Sequence, residues 1–235
     1  MENPALTPSA KIRTVALIDG FNLYHAIEDC PHFHAYKWLN PKKLCQRFLD
    51  NPAKEDLLAV TFFTAVPPWN EGKKARHLKL LGIYSDLGIR VISGKFLPTK
   101  AHCRLCNKEY DTHQEKMTDI NITIEMLKIG HENSADRIYL VTGDNDQAAG
   151  VLRFRSLYPD KQIVAVIPPH RKAKSLTDAA TRKITISETF LKDSVLDDPY
   201  VFTDKRSYEK PATWMNAAHP GPNWRPREQG TKRCH

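Results

Sequence analysis

Apolar residues gather in five short runs separated by polar stretches, at 14–18, 57–65, 89–92, 137–142 and 162–167. Each run is short for a helix and is bounded by turn or helix signals, so each is predicted to be a buried strand. The stretch 71–87 sets Leu80, Ile83, Tyr84 and Leu87 at helical spacing, with Lys73, Lys74, Arg76 and Lys79 supplying its polar surface. Pro41 suits a first helical position, and Leu44, Phe48 and Leu49 follow at helical intervals. Buried strands alternating with helices predict an α/β fold, a central parallel sheet covered on both faces.

Two stretches resist this pattern. Ile120, Ile122, Ile124 and Met126 alternate like a strand, yet Ile120, Ile124 and Leu127 also fit a helix, and periodicity leaves both open. Past about residue 197 the pattern fails, and 205–235 is rich in Pro, Lys and Arg with scattered Trp214 and Trp224. That composition predicts a tail without structure of its own. The expected organisation is an extension at 1–12, a domain at 13–197 with a cysteine-bearing loop at about 98–114, and a basic tail at 198–235.

Composition narrows the class. A chain of 235 residues with 41% hydrophobic content suffices for one globular core with some excess. No apolar run approaches the roughly 20 residues that span a bilayer, and MENPALTPSAKIR lacks the apolar middle of a secretory signal. A soluble, cytoplasmic protein without a membrane partner is expected. Five cysteines, an odd number, then read as reduced thiols rather than as a disulfide framework. A net charge of +8 favours an anionic partner, because clustered cations bind polyphosphate by releasing condensed counterions.

The candidate chemistry sits at strand ends. Asp19 directly follows the run 14–18, with Asn22 three residues on, where a helix should begin. Asp144 and Asp146 follow the run 137–142 in Thr142-Gly143-Asp144-Asn145-Asp146. Strand carboxyl ends of an open parallel sheet form the ligand crevice, so two acidic ends distant in sequence can converge there. Each Asp alone reads equally well as a helix cap. With Asp119, close after Lys116, the carboxylates would repel one another unless a cation neutralised them, and hard oxygen ligands select Mg²⁺ or Mn²⁺ over zinc.

The runs Asp19-Gly20-Phe21-Asn22, Glu115-Lys116-Met117-Thr118-Asp119 and Gly143-Asp144-Asn145-Asp146, in this order, resemble the NYN domain family, specifically its LabA-like branch, whose domains resemble PIN nucleases. The similarity runs from about residue 13 to 196 and includes Ile167-Pro168-Pro169 and Ser175-Leu176. It implies a Rossmann-like, three-layer fold with about five parallel strands, a helix after the second motif, and metal-dependent cleavage of phosphodiester bonds, usually in RNA. Carried over by position, Asp19, Asp119, Asp144 and Asp146 would hold Mg²⁺ or Mn²⁺; Asn22 would orient a carboxylate or phosphate oxygen; Thr142 would bond a phosphate or a water on the metal. Lys116 is a candidate transition-state cation, or else a salt-bridge partner of Glu115 or a nearby Asp. An endoribonuclease acting on single-stranded or structured RNA is the expected activity. The alternatives are a catalytically silent RNA-binding or scaffolding module of the same fold, and a small-molecule phosphohydrolase, against which stands the Gly20-Phe21 that follows Asp19. Related domains often pair, so a homodimer is a further expectation.

Three features lie outside that set. Cys103-Arg104-Leu105-Cys106 has the spacing of half a zinc site, with His113 as third candidate; His102 is awkwardly adjacent, Cys30, His32 and His34 could contribute if their loop folds nearby, and a plain reduced turn fits as well. Lys73, Lys74 and Arg76, and Arg171, Lys172 and Lys174 beside His170, form two basic groups that suit a nucleic-acid backbone or a solvated surface. Trp214 and Trp224 among Arg225, Arg227, Lys232 and Arg233 suit base stacking, a protein-docking arm or plain disorder.

Overall fold

The computed structural model describes residues 11–102 and 108–215. Its elements run in the order β1 (Ile12–Asp19), α1 (Gly20–Glu28), a 3-10 segment (Pro31–Lys37), α2 (Pro41–Gln46), β2 (Glu55–Thr64), α3 (Glu71–Asp86), β3 (Arg90–Ser93), β4 (Lys95–His102), β5 (Glu109–Lys116), α4 (Thr118–His131), β6 (Arg137–Val141), α5 (Gln147–Leu157), β7 (Gln162–Ile167), α6 (Lys174–Ala179), β8 (Arg182–Thr185), α7 (Glu188–Lys192), β9 (Tyr200–Val201) and β10 (Ser207–Tyr208). Six strands form one parallel sheet in the order β3-β2-β1-β6-β7-β8. The sequence predicts about five. The sixth, β8, has one apolar residue, Ile184, in Arg182-Lys183-Ile184-Thr185, because an edge strand is half covered and tolerates charge.

Alternation along the strands builds two cores. Ala16, Ile18, Tyr139, Val141, Val164 and Val166 face one side, where Leu23, Leu44, Ile83 and Tyr84 of α1 to α3 pack on them. Val15, Leu17, Ile138, Leu140, Ile163 and Ala165 face the other, under Ile122 and Met126 of α4, Val151 and Phe154 of α5 and Leu176 of α6. Burial on both faces is why these strands read as unbroken apolar runs. The result is a three-layer α/β domain.

The ambiguous segment after Thr118 is a helix, but it turns inward on Ile122, Met126 and Ile129, while Ile120 and Ile124 are exposed. The expected cysteine-bearing loop is a correction: 95–116 is largely a β-hairpin, β4 pairing antiparallel with β5 outside the main sheet. Its residues are mostly polar and exposed, so no apolar run announced it. A second correction concerns the tail. Chain beyond 197 continues into the β9–β10 pair, and Trp214, buried against Trp38 at a centroid distance of 6.3 Å, belongs to the first core. Trp224 and the basic residues after it lie outside the described residues.

One topological feature positions the site. The chain leaves β1 for β2 on one side and returns as β6 on the other, so β1 and β6 flank the switch point of the sheet. Their carboxyl ends diverge into helices on opposite faces and leave a crevice between them.

Candidate active site

Asp19 ends β1 and caps α1. Its Oδ1 accepts the Asn22 backbone N–H at 2.9 Å and its Oδ2 accepts the Thr142 hydroxyl at 2.9 Å. The first helical position, Gly20, admits nothing larger than glycine: a Cβ there would lie 2.3 Å from the Phe62 ring and 2.7 Å from the Phe63 carbonyl oxygen. Asp19 is buried at 5% exposure. Desolvation raises its pKa from 3.8 to about 7, and repulsion from Glu115 and Asp119 adds to this against the two hydrogen bonds.

Besides the Thr142 hydroxyl, one hydrogen bond joins the β6 end to this side of the crevice, and two more shape its own loop. Gly143 N–H donates to Asn22 Oδ1 at 2.8 Å, Asp144 N–H donates to Thr142 Oγ1 at 3.2 Å, and Asp146 N–H donates to Asp144 Oδ1 at 2.9 Å. Asn145 Oδ1 accepts the Ser175 N–H at 2.9 Å, tying this loop to the start of α6. The helix-cap reading is thus realised for Asp19, whereas Asp144 instead holds its own loop by accepting the Asp146 N–H. What those readings omit is a shared cleft of about 110 Å³, with polar lining from Asp19, Asn22, Glu115, Thr118, Asp119 and Asp144 and apolar lining from Phe21 and Met117.

The third wall comes from the junction of β5 and α4. Met117 bridges them with φ 79°, a left-handed conformation unusual for a residue with a side chain. This turn lets Glu115, at the end of β5, and Asp119, in the first turn of α4, line the same cleft. Glu115 accepts the Thr118 hydroxyl at 2.5 Å, and Asp119 accepts Gln147 Nε2 at 3.0 Å. Both carboxyls titrate above their ordinary range, first through burial; Asp119 repels Glu115, and Asp144 and Asp146 repel Asp119.

The sequence candidates sort accordingly. Asp19, Asn22, Asp119 and Asp144 line the cleft together. Asp146, exposed at the start of α5, acts on it only by charge. Thr142 is fully buried with its hydroxyl directed to Asp19, so it supports that carboxylate rather than facing a substrate. Lys116 is a correction: strand alternation puts it on the face opposite Glu115, exposed and outside the cleft lining. Arg171 is another, since its side chain is 8% exposed and its guanidinium is bound to Asp29 at 2.9 Å. Lys174 pairs with Asp178, and Lys74 with Glu71, both at the surface. Cys103 and Cys106 lie outside the described residues, while His113 stacks on Trp69 at 4.0 Å within β5. Sequence reasoning gave Glu115 no place in the site. Its signal was the run Glu115-Lys116-Met117-Thr118-Asp119, in which two acids flank a turn, but without the hairpin nothing assigned Glu115 a direction.

The donors facing the cleft are oxygens of carboxylates, an amide and a hydroxyl, with no His or Cys, which is the chemistry of a hard divalent cation. Among the described residues, no three His, Cys, Asp or Glu side chains converge closely enough to enclose a metal ion as they stand. The six-stranded parallel sheet flanked by helices, with an acidic crevice at its switch point, defines a three-layer α/β domain consistent with the PIN-like fold. A family model described as the NYN domain matches residues 13–188, and the chain belongs to this family, which is associated with nuclease activity. It is similar to the crystal structure of a protein of unknown function from Vibrio parahaemolyticus, with a TM-score of 0.51 and 19% identity over 81% of this chain and 100% of that one; this likeness concerns the fold alone. No curated protein matches the sequence. No helix among the described residues is long and apolar enough to cross a membrane.

Proposed function

We propose that the protein is a metal-dependent ribonuclease that hydrolyses phosphodiester bonds within RNA. The observation that carries this reading is the cleft itself: Asp19, Glu115, Asp119 and Asp144, from three separate parts of the chain, crowd one opening, and burial, with repulsion between neighbouring carboxylates, raises the pKa of Asp19, Glu115 and Asp119. Such crowding is unfavourable in isolation and is relieved by a divalent cation. Asp19, Asp119 and Asp144 would hold Mg²⁺ or Mn²⁺, with Glu115 as a further oxygen donor. When bound, the ion activates a water and offsets charge on the phosphate oxygens.

The chain's own residues supply the rest. Thr142 and the Asn22 N–H fix both oxygens of Asp19, so its orientation survives the loss of its proton. Asn22 anchors the Gly143 loop and thereby sets Asp144 relative to Asp19. Lys73 and Arg76 on α3, which starts from the carboxyl end of β2, would attract the phosphate backbone. Hydrolysis by water yields a 5′-phosphate and a 3′-hydroxyl without the ribose 2′-hydroxyl.

The test is cleavage of a labelled RNA in Mg²⁺ and in Mn²⁺ with mapped product ends. Asp19→Asn and Asp144→Asn are expected to abolish cleavage while circular dichroism stays unchanged, and EDTA is expected to abolish it in the wild type. Full activity in either variant, or in EDTA, overturns the proposal. A second reading, a silent RNA-binding module, draws on the carboxylates' failure to enclose an ion as they stand. RNA binding without cleavage at every Mg²⁺ and Mn²⁺ concentration would establish it instead.

A further inference from the structure

Beside the cleft runs a row of aromatic side chains that neither core uses. Phe21, which lines the cleft, meets Phe96 edge-on at 5.8 Å; Phe96 meets Trp69 edge-on at 4.8 Å; and Trp69 lies flat on His113, 4.0 Å apart and 14° from parallel. None of the four belongs to the buried clusters. Trp69 is 50% exposed and Phe21 38% exposed, although an indole is among the most favourable side chains to bury.

The hairpin explains how the row and the carboxylates come together. Phe96 pairs with Glu115 and Pro98 with His113 across the antiparallel ladder, and directly paired residues share a face. The face of β5 that turns Glu115 into the cleft therefore presents His113 two residues, roughly 7 Å, further along. Trp69 is held against that face from outside the hairpin, fixed by Asn70, whose Oδ1 accepts the Lys73 N–H at 2.9 Å and caps α3. The cations Lys73, Lys74 and Arg76 follow within the next two turns of the same helix.

We infer that Phe21, Phe96, Trp69 and His113 form a stacking surface for the unpaired bases of the nucleic-acid strand whose phosphodiester enters the carboxylate cleft. The inference rests on the nuclease reading and adds to it the state of the substrate. A flat ring with one face on His113 and half its surface open accepts a base on the other face. Bases held within a duplex have no free face to offer, so this surface selects single strands and tolerates any sequence. The carboxylates handle the backbone and the aromatic row handles the bases, with α3 supplying positive charge at the far end.

The experiment is fluorescence anisotropy in EDTA, where no cleavage is expected, with the full chain and four labelled probes of about twelve nucleotides: an RNA strand, the DNA strand of the same sequence, the RNA duplex, and an abasic phosphodiester strand. The wild type is expected to bind both single strands about tenfold more tightly than the duplex or the abasic strand. Trp69→Ala should remove that preference while keeping the weak abasic binding, and Trp69→Tyr should restore it. A DNA strand bound as well as RNA assigns the discrimination to bases rather than ribose. Equal binding of the abasic strand by the wild type, unchanged binding by Trp69→Ala, or no binding of any strand overturns the inference. Adding Mn²⁺ separates it from the reading beneath it: stacking without cleavage refutes the nuclease alone, and cleavage indifferent to Trp69 refutes the stacking surface alone.

Discussion

Asp19→Asn, measured without metal, tests whether the cleft is built under electrostatic tension. In the fold the Asp19 carboxyl titrates at about 7 instead of 3.8, chiefly because it is buried. Below pH ~4 the group is protonated in both states and contributes no difference. Between the two values the folded protein keeps a proton that the unfolded chain releases, so its stability falls as pH rises, and above pH ~7 the full cost is present. At about 1.4 kcal/mol per pH unit the cost approaches ~4 kcal/mol. Asparagine remains neutral throughout and keeps an acceptor for the Asn22 N–H. Urea denaturation of both proteins from pH 4 to 8 in EDTA should therefore show the variant gaining on the wild type by up to ~4 kcal/mol, most of it before neutral pH. Comparing the two cancels other carboxyls, such as Asp50 and Asp136, whose arginine partners lower their pKa and which stabilise in the opposite direction. Mn²⁺ at a hundredfold excess over its Kd should then return about 2.7 kcal/mol to the wild type and much less to the variant. Parallel pH profiles, or equal stabilisation of both proteins by Mn²⁺, would refute the reasoning.

The remaining predictions concern the supports of the site. Glu55, 2% exposed, accepts hydrogen bonds from Thr14 Oγ1 at 2.8 Å and the Tyr139 hydroxyl at 2.9 Å and pairs with Arg137 at 2.9 Å. Glu55→Ala strands these groups and should lower unfolding free energy by about 3–5 kcal/mol in urea, against a smaller loss for Glu55→Gln. Gly20→Ala drives a methyl into Phe62 and the Phe63 carbonyl, and should cost about 1–3 kcal/mol by thermal denaturation together with much of the cleavage rate, because α1 carries Asn22. Lys73→Ala and Arg76→Ala should each reduce the slope of log affinity for RNA against log salt by about 1. Arg171→Ala should leave that slope alone and instead lower stability by about 2 kcal/mol, since it removes a charge-assisted hydrogen bond to the partly exposed Asp29.

How legible this molecule was depended on where each residue's role is decided. The strands β6, β7 and the central stretches of β1 and β2 are legible because burial on both sheet faces demands mostly apolar residues there. Asp19 and Asp144 are legible for a related reason, since an acid at or just beyond the end of such a run stands at the crevice. Asp119 entered through family resemblance, and the structure gives the physical reason that periodicity lacked: the left-handed Met117 turns α4 so that its first residues face the sheet end.

The hairpin marks where local reading stops. Its strands are mostly polar and exposed, so their pairing is set by each other and by Trp69 rather than by a core. Once that pairing is missed, so is everything it orients. Glu115 becomes a mere neighbour of Lys116, His113 a loop residue available to a metal, and Trp69 an isolated aromatic between Pro68 and Asn70. The same register that turns Lys116 away from the cleft turns Glu115 into it and aligns Phe96 with His113 against Trp69. A one-residue slip of β5 would exchange its two faces, exposing Lys116 to the carboxylates and removing Glu115 and His113 together. The Glu115 wall of the cleft and the His113 platform under Trp69 are therefore consequences of one pairing, and a substitution that shifts it should abolish both at once.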